Sequence, residues 1–156
     1  MNPSIWIHRL AAPLARGRDL LETLQPLALL SARLYVAKVF FLSGLTKIRE
    51  WETTVDLFTD EYKVPLLPPE LAALMGTAGE LALPVLLVLG LGGRAAALGL
   101  FVLNIVAAIS LPELGEAAAQ QHLFWGSLLM GLALWGPGRL ALDHPLLQRW
   151  NRLSMR

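Results

Sequence analysis

The residues that could do chemistry are charged and amide side chains set inside long apolar runs. Arg33 and Lys38 lie in the first run, Glu80 in the second and Asn104 in the third. A charged side chain at the centre of a bilayer costs about 2.5 to 3.5 kcal/mol on insertion scales, so these groups must face a protein interior. There they can bind a ligand or carry a proton, or they can pair and fix helix packing. Both interpretations of Glu80 stay open at this stage.

Depth in the membrane predicts which of these side chains meet. At about 1.5 Å per residue across a layer of about 30 Å, Lys38 and Glu80 reach nearly the same level, and Asn104 lies close to that plane. A Lys38–Glu80 pair beside Asn104 is one prediction. An Arg33–Glu80 pair is the other, because an arginine side chain bridges a further helical turn. The four residues together form the candidate polar cluster.

A second candidate site lies at the outer end of the same helices. Lys47 ends the face of the first run that begins at Arg33. Thr77 shares a small, polar face with Glu80 on the second run, and His122 begins the fourth run. Lys47 is also explained as an interfacial anchor whose ammonium group reaches water, and His122 as a capping residue. The catalytic residues themselves are not identified by the sequence.

The composition excludes several kinds of chemistry. The 156 residues contain no cysteine, which excludes disulfides, thiolate metal sites, iron–sulfur clusters and thiol nucleophiles. His8 and His144 are predicted to lie outside the membrane, so a single chain cannot supply the two intramembrane histidines of a b-type haem. We therefore expect no metal site and no covalently bound cofactor. The net charge of +1 gives no field that would attract nucleic acid.

The elements that must position these residues are four predicted transmembrane helices. Of the chain, 55% is hydrophobic and 16% is charged, against about 45–50% and about 25% in soluble domains. The apolar residues gather into four runs of about 18–22 residues, each long enough to cross a bilayer. These runs cover residues 27–47, 71–91, 94–111 and 122–140. The prediction is an all-α, polytopic membrane four-helix bundle over residues 27–140.

The flanking segments receive separate predictions. Residues 1–26 are interpreted as a cytoplasmic or interfacial leader, an amphipathic helix broken near Pro13 and Gly17, and residues 141–156 as a basic cytoplasmic tail. Four apolar side chains in the first external loop recur at helical spacing, which predicts a short amphipathic helix over residues 51–62 on the outer surface. They are Trp51, Val55, Phe58 and Tyr62.

The distribution of lysine and arginine predicts the orientation. If the N-terminus is cytoplasmic, the external flanks carry only Arg49 and Lys63, with Lys47 at the boundary. The cytoplasmic side then carries eight arginines, which are Arg9, Arg16, Arg18, Arg94, Arg139, Arg149, Arg152 and Arg156. Positively charged flanks favour the cytoplasm, so both termini are predicted to lie there.

Several motifs occur in combination along the chain. An arginine in the first span is followed eleven and fourteen residues later by Gly44 and Lys47, within the segment SGLTK (residues 43–47). Glu80 lies mid-span, and the fourth run ends in GPGRLALD (residues 136–143). Together these motifs resemble the DoxX family of small four-helix bacterial membrane proteins. The resemblance covers roughly residues 27–150 and implies a multi-pass protein of the bacterial inner membrane. Lys38 is not part of the family pattern.

The resemblance implies a redox-linked membrane role without naming a reaction. Relatives include the membrane subunit of a thiosulfate:quinone oxidoreductase and a component of oxidative-stress membrane complexes, and some members are thought to be encoded beside peptide-modifying enzymes. The first hypothesis is an accessory membrane subunit of an oxidoreductase complex that passes electrons from a partner protein to quinone. The partner must then supply the redox cofactor.

Two other functions are weighed against this one. A non-catalytic membrane anchor would recruit a soluble enzyme, in an envelope stress or metal response. A small transporter ranks last because the sequence shows no inverted repeat, although an oligomer could compensate for so few helices. The expected partners are the lipid bilayer and a soluble or membrane protein, and the oligomeric state is left open.

Overall fold

The structure is a computed structural model that describes residues 3–144, with side chains from Ala15 onward. It contains five helices, α1 (Pro3–Arg49), α2 (Trp51–Asp60), α3 (Pro69–Leu89), α4 (Gly93–Ser110) and α5 (Glu116–Trp135). Three of them are long and apolar enough to cross a membrane, namely α1 from Ala15 onward, α3 and α4. The chain is therefore an all-α membrane protein.

The first helix is much longer than the predicted span. α1 runs without interruption from Pro3 to Arg49, so the predicted break near Pro13 and Gly17 is wrong. An isolated proline or glycine weakens a helix locally, but the alanines, leucines and arginines on either side are strong helix formers. At about 1.5 Å per residue, α1 is about 70 Å long, roughly twice the thickness of the hydrocarbon layer.

The last helix lies earlier in the chain than predicted. α5 covers Glu116–Trp135 instead of residues 122–140. It begins where Glu116 can face the positive first turn, and it ends because Gly136 has a φ of 86° and Pro137 cannot continue a helix. Its N-terminal third contains Gln120, Gln121 and His122, so α5 is less apolar than α3 and α4.

One apolar core joins four of the helices. Side chains of α1, α3, α4 and α5 form a single buried cluster, which consists of Val36, Phe40, Leu87, Ala96, Ala97, Leu100, Leu129 and Leu132. Alanines on α4 let the helices approach closely, as is common when helices pack inside membranes. The outward faces carry many exposed large apolar residues, among them Leu34, Leu74, Val102 and Leu123. This surface suits contact with lipid.

The predicted short amphipathic helix is present as α2. Its Phe58 is buried against Ala72 and Ala73 at the start of α3. Tyr62, just beyond the helix, stacks on Phe58 with the ring centroids 4.9 Å apart. Between α2 and α3 the chain is not helical, and Pro69 occupies the first turn of α3, where its missing N–H costs nothing. The helix α2 thus covers the junction of α1 and α3.

Candidate functional site

The most deeply buried charged group is the guanidinium of Arg33, whose residue is only 1% exposed. Its Nε donates to the Leu87 carbonyl at 3.0 Å, and Nη2 donates to the Val88 carbonyl. Nη1 donates to the carbonyls of Pro137 at 2.7 Å and Leu140 at 3.3 Å. The carbonyls in the last turn of α3 have no partners within that helix. Arg33 therefore fastens the end of α3 to the segment that follows α5.

The segment after α5 contains the GPGRLALD motif (residues 136–143) and is hydrogen-bonded to the α3–α4 turn. The backbone N–H of Leu142 donates to the Leu89 carbonyl at 3.1 Å, and that of Asp143 donates to the Gly90 carbonyl at 2.9 Å. A side chain on Gly90 would collide with Ala141, which explains the glycine there. The motif thus fixes the segment after α5 to the α3–α4 turn, at one end of the bundle.

The carboxylate of Asp143 contributes to the same connection. Its two oxygens accept the backbone N–H groups of Gly92 and Gly93, each at 2.9 Å. These N–H groups belong to the first turn of α4 and have no partner within that helix. A negative charge at this position also meets the positive end of the helix dipole. Asp143 therefore caps α4 from a segment fifty residues further along the chain.

Glu80 forms an ion pair with Lys47. The Lys47 Nζ lies 2.8 Å from Oε2 and 3.0 Å from Oε1 of Glu80, and it also donates to the Ser43 hydroxyl at 2.8 Å. The two side chains are 21% and 13% exposed. Gly44 makes this approach feasible, since a Cβ there would lie 3.0 Å from the Glu80 Cβ. The SGLTK segment thus brings an amine, a hydroxyl and a close-packing glycine to one carboxylate.

The predicted partners of Glu80 require a correction, because neither Lys38 nor Arg33 pairs with it. Glu80 lies level with Gly44, six residues beyond Lys38, which corresponds to about 9 Å along a helix. The ends of apolar runs do not define a helix–helix register to within that distance. Lys38 is instead exposed, in an apolar groove between α1 and α3 that Pro84 and Val85 also line.

The second polar pair joins α4 to α5. The Asn104 side chain donates from Nδ2 to the backbone carbonyl of His122 at 2.9 Å, and its Oδ1 lies 2.9 Å from the His122 Nδ1. Gly126 makes room for this contact, since a Cβ there would lie 3.2 Å from the Asn104 Nδ2. The indole of Trp125 packs edge-on against the imidazole, with the centroids 5.2 Å apart. The Asn104 amide is thus hydrogen-bonded to both the backbone and the ring of His122.

This contact determines the tautomer of His122. An amide oxygen can only accept hydrogen bonds, so Nδ1 of the imidazole must carry a proton and donate it to Asn104. In the neutral ring, Nε2 then keeps its lone pair. Within the described part of the chain, Nε2 has no hydrogen-bond partner. His122 is therefore oriented to exchange a proton at Nε2 while Nδ1 stays bonded to Asn104.

A groove between α4 and α5 opens beside this pair. Its volume is about 640 Å³ and its walls are almost entirely apolar. Asn104 and His122 line it together with Phe101, Ile105, Leu123, Gly126 and Met130, among others. Ser127 also lines the groove, but its hydroxyl donates to the Phe124 carbonyl at 2.7 Å. The arrangement can hold an apolar molecule that has one hydrogen-bonding group.

The candidate residues therefore belong to three separate places. Arg33 lies where the end of α3 meets the segment after α5. Lys47 and Glu80 form the ion pair near α2. Asn104 and His122 form a hydrogen-bonded dyad that lines the α4–α5 groove. Thr77 is buried, and its hydroxyl bonds to no group among the residues that the structure describes. The sequence did not reveal that Gly126 makes room for the Asn104 amide. Its position four residues after His122 nevertheless places the two residues on one helix face.

The comparisons with known proteins identify one family. A sequence model of the DoxX family matches residues 28–112, just over half of the chain. The matched part contains Arg33, Lys47, Glu80 and Asn104. No curated protein and no solved structure matches the chain.

Proposed function

Because the chain belongs to the DoxX family, we propose that it is the membrane subunit of a redox module and binds a quinone in the α4–α5 groove. The observation that carries the proposal is the Asn104–His122 dyad on the wall of that apolar groove. The proposal includes a multi-pass location in a bacterial inner membrane. There α5 is the fourth crossing helix, beside α4, and both termini face the cytoplasm.

The size and chemistry of the groove suit a quinone. Ligand pockets commonly enclose about 300–1,000 Å³ with apolar walls and a few polar groups that fix the orientation. A quinone ring with an isoprenoid tail is an apolar molecule with carbonyl oxygens at its polar end. The groove offers apolar walls along its length and His122 as the hydrogen-bonding group.

Reduction of a quinone requires two electrons and two protons. The electrons come from a redox cofactor of the partner protein, since this chain has no cysteine and only three histidines. Protonated His122 can donate its Nε2 proton to a ring oxygen while Nδ1 remains bonded to Asn104 in both charge states. A second proton enters from water, and water afterwards reprotonates His122. The dyad thus acts as a proton donor and does not carry electrons.

The direct test is quinone affinity in a set of matched variants. Purified protein in detergent is titrated with a short-chain quinone, and binding is followed by quenching of tryptophan fluorescence. We expect His122→Leu and Asn104→Leu to weaken binding about tenfold, which corresponds to one lost hydrogen bond of about 1.4 kcal/mol. Glu80→Gln is the control because its carboxylate is bonded to Lys47 and does not line the groove. Equal affinity in wild type and His122→Leu would contradict the proposal.

A second candidate function, a non-catalytic anchor for a soluble enzyme, is favoured by the N-terminal part of α1. Residues 15–25 are exposed on every side, and the leucines at positions 20 and 21 are 60% and 70% exposed. A helical arm with exposed leucines beyond the shared core is suited to contact another protein. A photo-crosslinking residue at Leu21 in native membranes should give one discrete protein adduct if the anchor function holds. Adducts with lipid alone would contradict it.

A further inference from the structure

A large cavity lies at the end of the bundle opposite Lys47 and Glu80. It has a volume of about 700 Å³ and lies between α1, the start of α4 and the segment after α5. Arg94 and Arg139 contribute two cationic side chains to its walls, and Leu29, Ala95 and Trp135 contribute apolar ones. The quinone groove shares none of these lining residues. The cavity is therefore a separate feature that the proposed redox function does not use.

The positive charge in this cavity has few internal partners. Arg94 and Arg139 are exposed, and neither forms an ion pair or side-chain hydrogen bond with any residue from 15 to 144. Arg94 packs over Gly136, where a Cβ would lie 3.2 Å from its Nε. Both guanidinium groups are thus available to an anion that enters the cavity.

The carboxylates around the cavity are already engaged. Asp143 accepts the two backbone N–H groups at the start of α4. Arg18 lies near two carboxylates, with its Nε 3.4 Å from Oε1 of Glu22 and its Nη2 3.4 Å from Oδ1 of Asp19. Asp19 and Arg139 both line an adjoining cavity. Arg94 and Arg139 are therefore the charged side chains of the cavity that have no partner among residues 15–144.

The position of the cavity points to the kind of anion. Three helix ends meet at this level, since α3 ends at Leu89, α4 begins at Gly93 and α5 ends at Trp135. Trp135 is 68% exposed, as is typical of tryptophans at the membrane–water interface. We propose that this cavity binds the phosphate group of an anionic phospholipid, with Arg94 and Arg139 as its ligands. An arginine guanidinium can donate two parallel hydrogen bonds to the oxygens of one phosphate group. Basic pockets between membrane helices bind phospholipid headgroups.

The test is lipid retention by the full-length protein. Wild type and Arg94→Gln/Arg139→Gln are compared for binding of phosphatidylglycerol and phosphatidylcholine by native mass spectrometry in detergent. We expect about a 30-fold loss of phosphatidylglycerol affinity in the double variant, about fivefold for each arginine. Arg49→Gln/Lys63→Gln is the matched control, because it removes two exposed cations at the other end of the bundle. The control should retain the wild-type affinity.

Three further measurements make the outcome decisive. Arg94→Lys/Arg139→Lys keeps both charges and should recover most of the affinity, which separates charge from folding. Equal losses in the double variant and in its control would overturn the proposal, because they would show a non-specific charge effect. Inorganic phosphate that binds as tightly as phosphatidylglycerol would overturn the assignment to a lipid. Quinone affinity should be unchanged in Arg94→Gln/Arg139→Gln, so this proposal and the quinone proposal fail independently.

Discussion

Replacement of Arg33 by methionine tests whether its guanidinium holds the end of α3 to the segment after α5. Methionine keeps much of the side-chain volume but removes all four hydrogen bonds to the carbonyls of Leu87, Val88, Pro137 and Leu140. Leu87 and Pro137 are the more buried acceptors, whereas Val88 and Leu140 can recover contact with solvent or lipid headgroups. We expect the variant to unfold more easily than wild type and to expose the segment after α5.

The magnitude follows from the two more buried carbonyls, of which that of Leu87 keeps only the Gly90 N–H at 3.2 Å and that of Pro137 loses its donor. A hydrogen bond from a charged donor contributes about 1.5–3 kcal/mol. Removal of the guanidinium also removes the cost of burying a charge, which offsets part of that loss. The expected decrease in the free energy of unfolding is about 2–4 kcal/mol. Arg33→Lys, which keeps the charge but not the fork of donors, should fall between wild type and Arg33→Met.

The assay is unfolding in mixed micelles with added SDS, followed by tryptophan fluorescence. Lys38→Met is the matched control, since Lys38 lies five residues away on the same helix but is exposed and bonds to no described residue. It should not lower the free energy of unfolding, because the removal of a charge from an apolar groove costs no stability. A loss below about 1 kcal/mol for Arg33→Met, or equal losses for the two variants, would refute this role of Arg33.

Three other predictions concern the rest of the bundle. In a double-mutant cycle measured by the same unfolding assay, Lys47→Met and Glu80→Gln should show a coupling of about 1–3 kcal/mol, and additive effects would contradict the ion pair. Asp143→Ala should lower the free energy of unfolding by about 1–2 kcal/mol because it removes the cap of α4, and an unchanged midpoint would contradict that role. Burial, followed by the charges of Glu80 and Glu61, raises the pKa of Tyr62 above its ordinary value of 10.0. The contribution of the neutral Tyr62 side chain to the free energy of unfolding is therefore complete below about pH 10. It is lost as the pH rises through the raised pKa. Melting temperatures recorded from about pH 9 to about pH 11 should fall more steeply for wild type than for Tyr62→Phe, and parallel curves would contradict the shift.

The helical elements were largely predictable because their causes are local. Apolar runs of sufficient length predicted α3 and α4 to within about two residues, and the aromatic spacing predicted α2. The end of α5 was predicted too late, even though Gly136 and Pro137 mark it in the sequence. The length of α1 could not be obtained from hydropathy, since the leader is polar yet helical and only the membrane-spanning part is apolar.

The partners of the polar residues were harder to predict because they depend on register. The pairing of Glu80 was assigned from depth, and an offset of about 9 Å between α1 and α3 placed Lys47 there instead of Lys38. The Asn104–His122 dyad depends on the helix crossing at Gly126, which no periodicity encodes. Arg33 bonds only to backbone carbonyls, which any sequence offers, so its partners left no signal in the residue types.

Photolabelling with a quinone analogue tests whether the α4–α5 groove is the quinone site. A quinone analogue with a photoreactive group on the ring is irradiated with the purified protein, and the labelled residues are mapped by mass spectrometry. We expect labels on Ile105, Leu123 or Met130, and their loss in Gly126→Ala, where a methyl group crowds the Asn104 amide. Labels confined to the α1–α3 groove around Lys38, or unchanged labels in Gly126→Ala, would contradict the assignment of the α4–α5 groove as the quinone site.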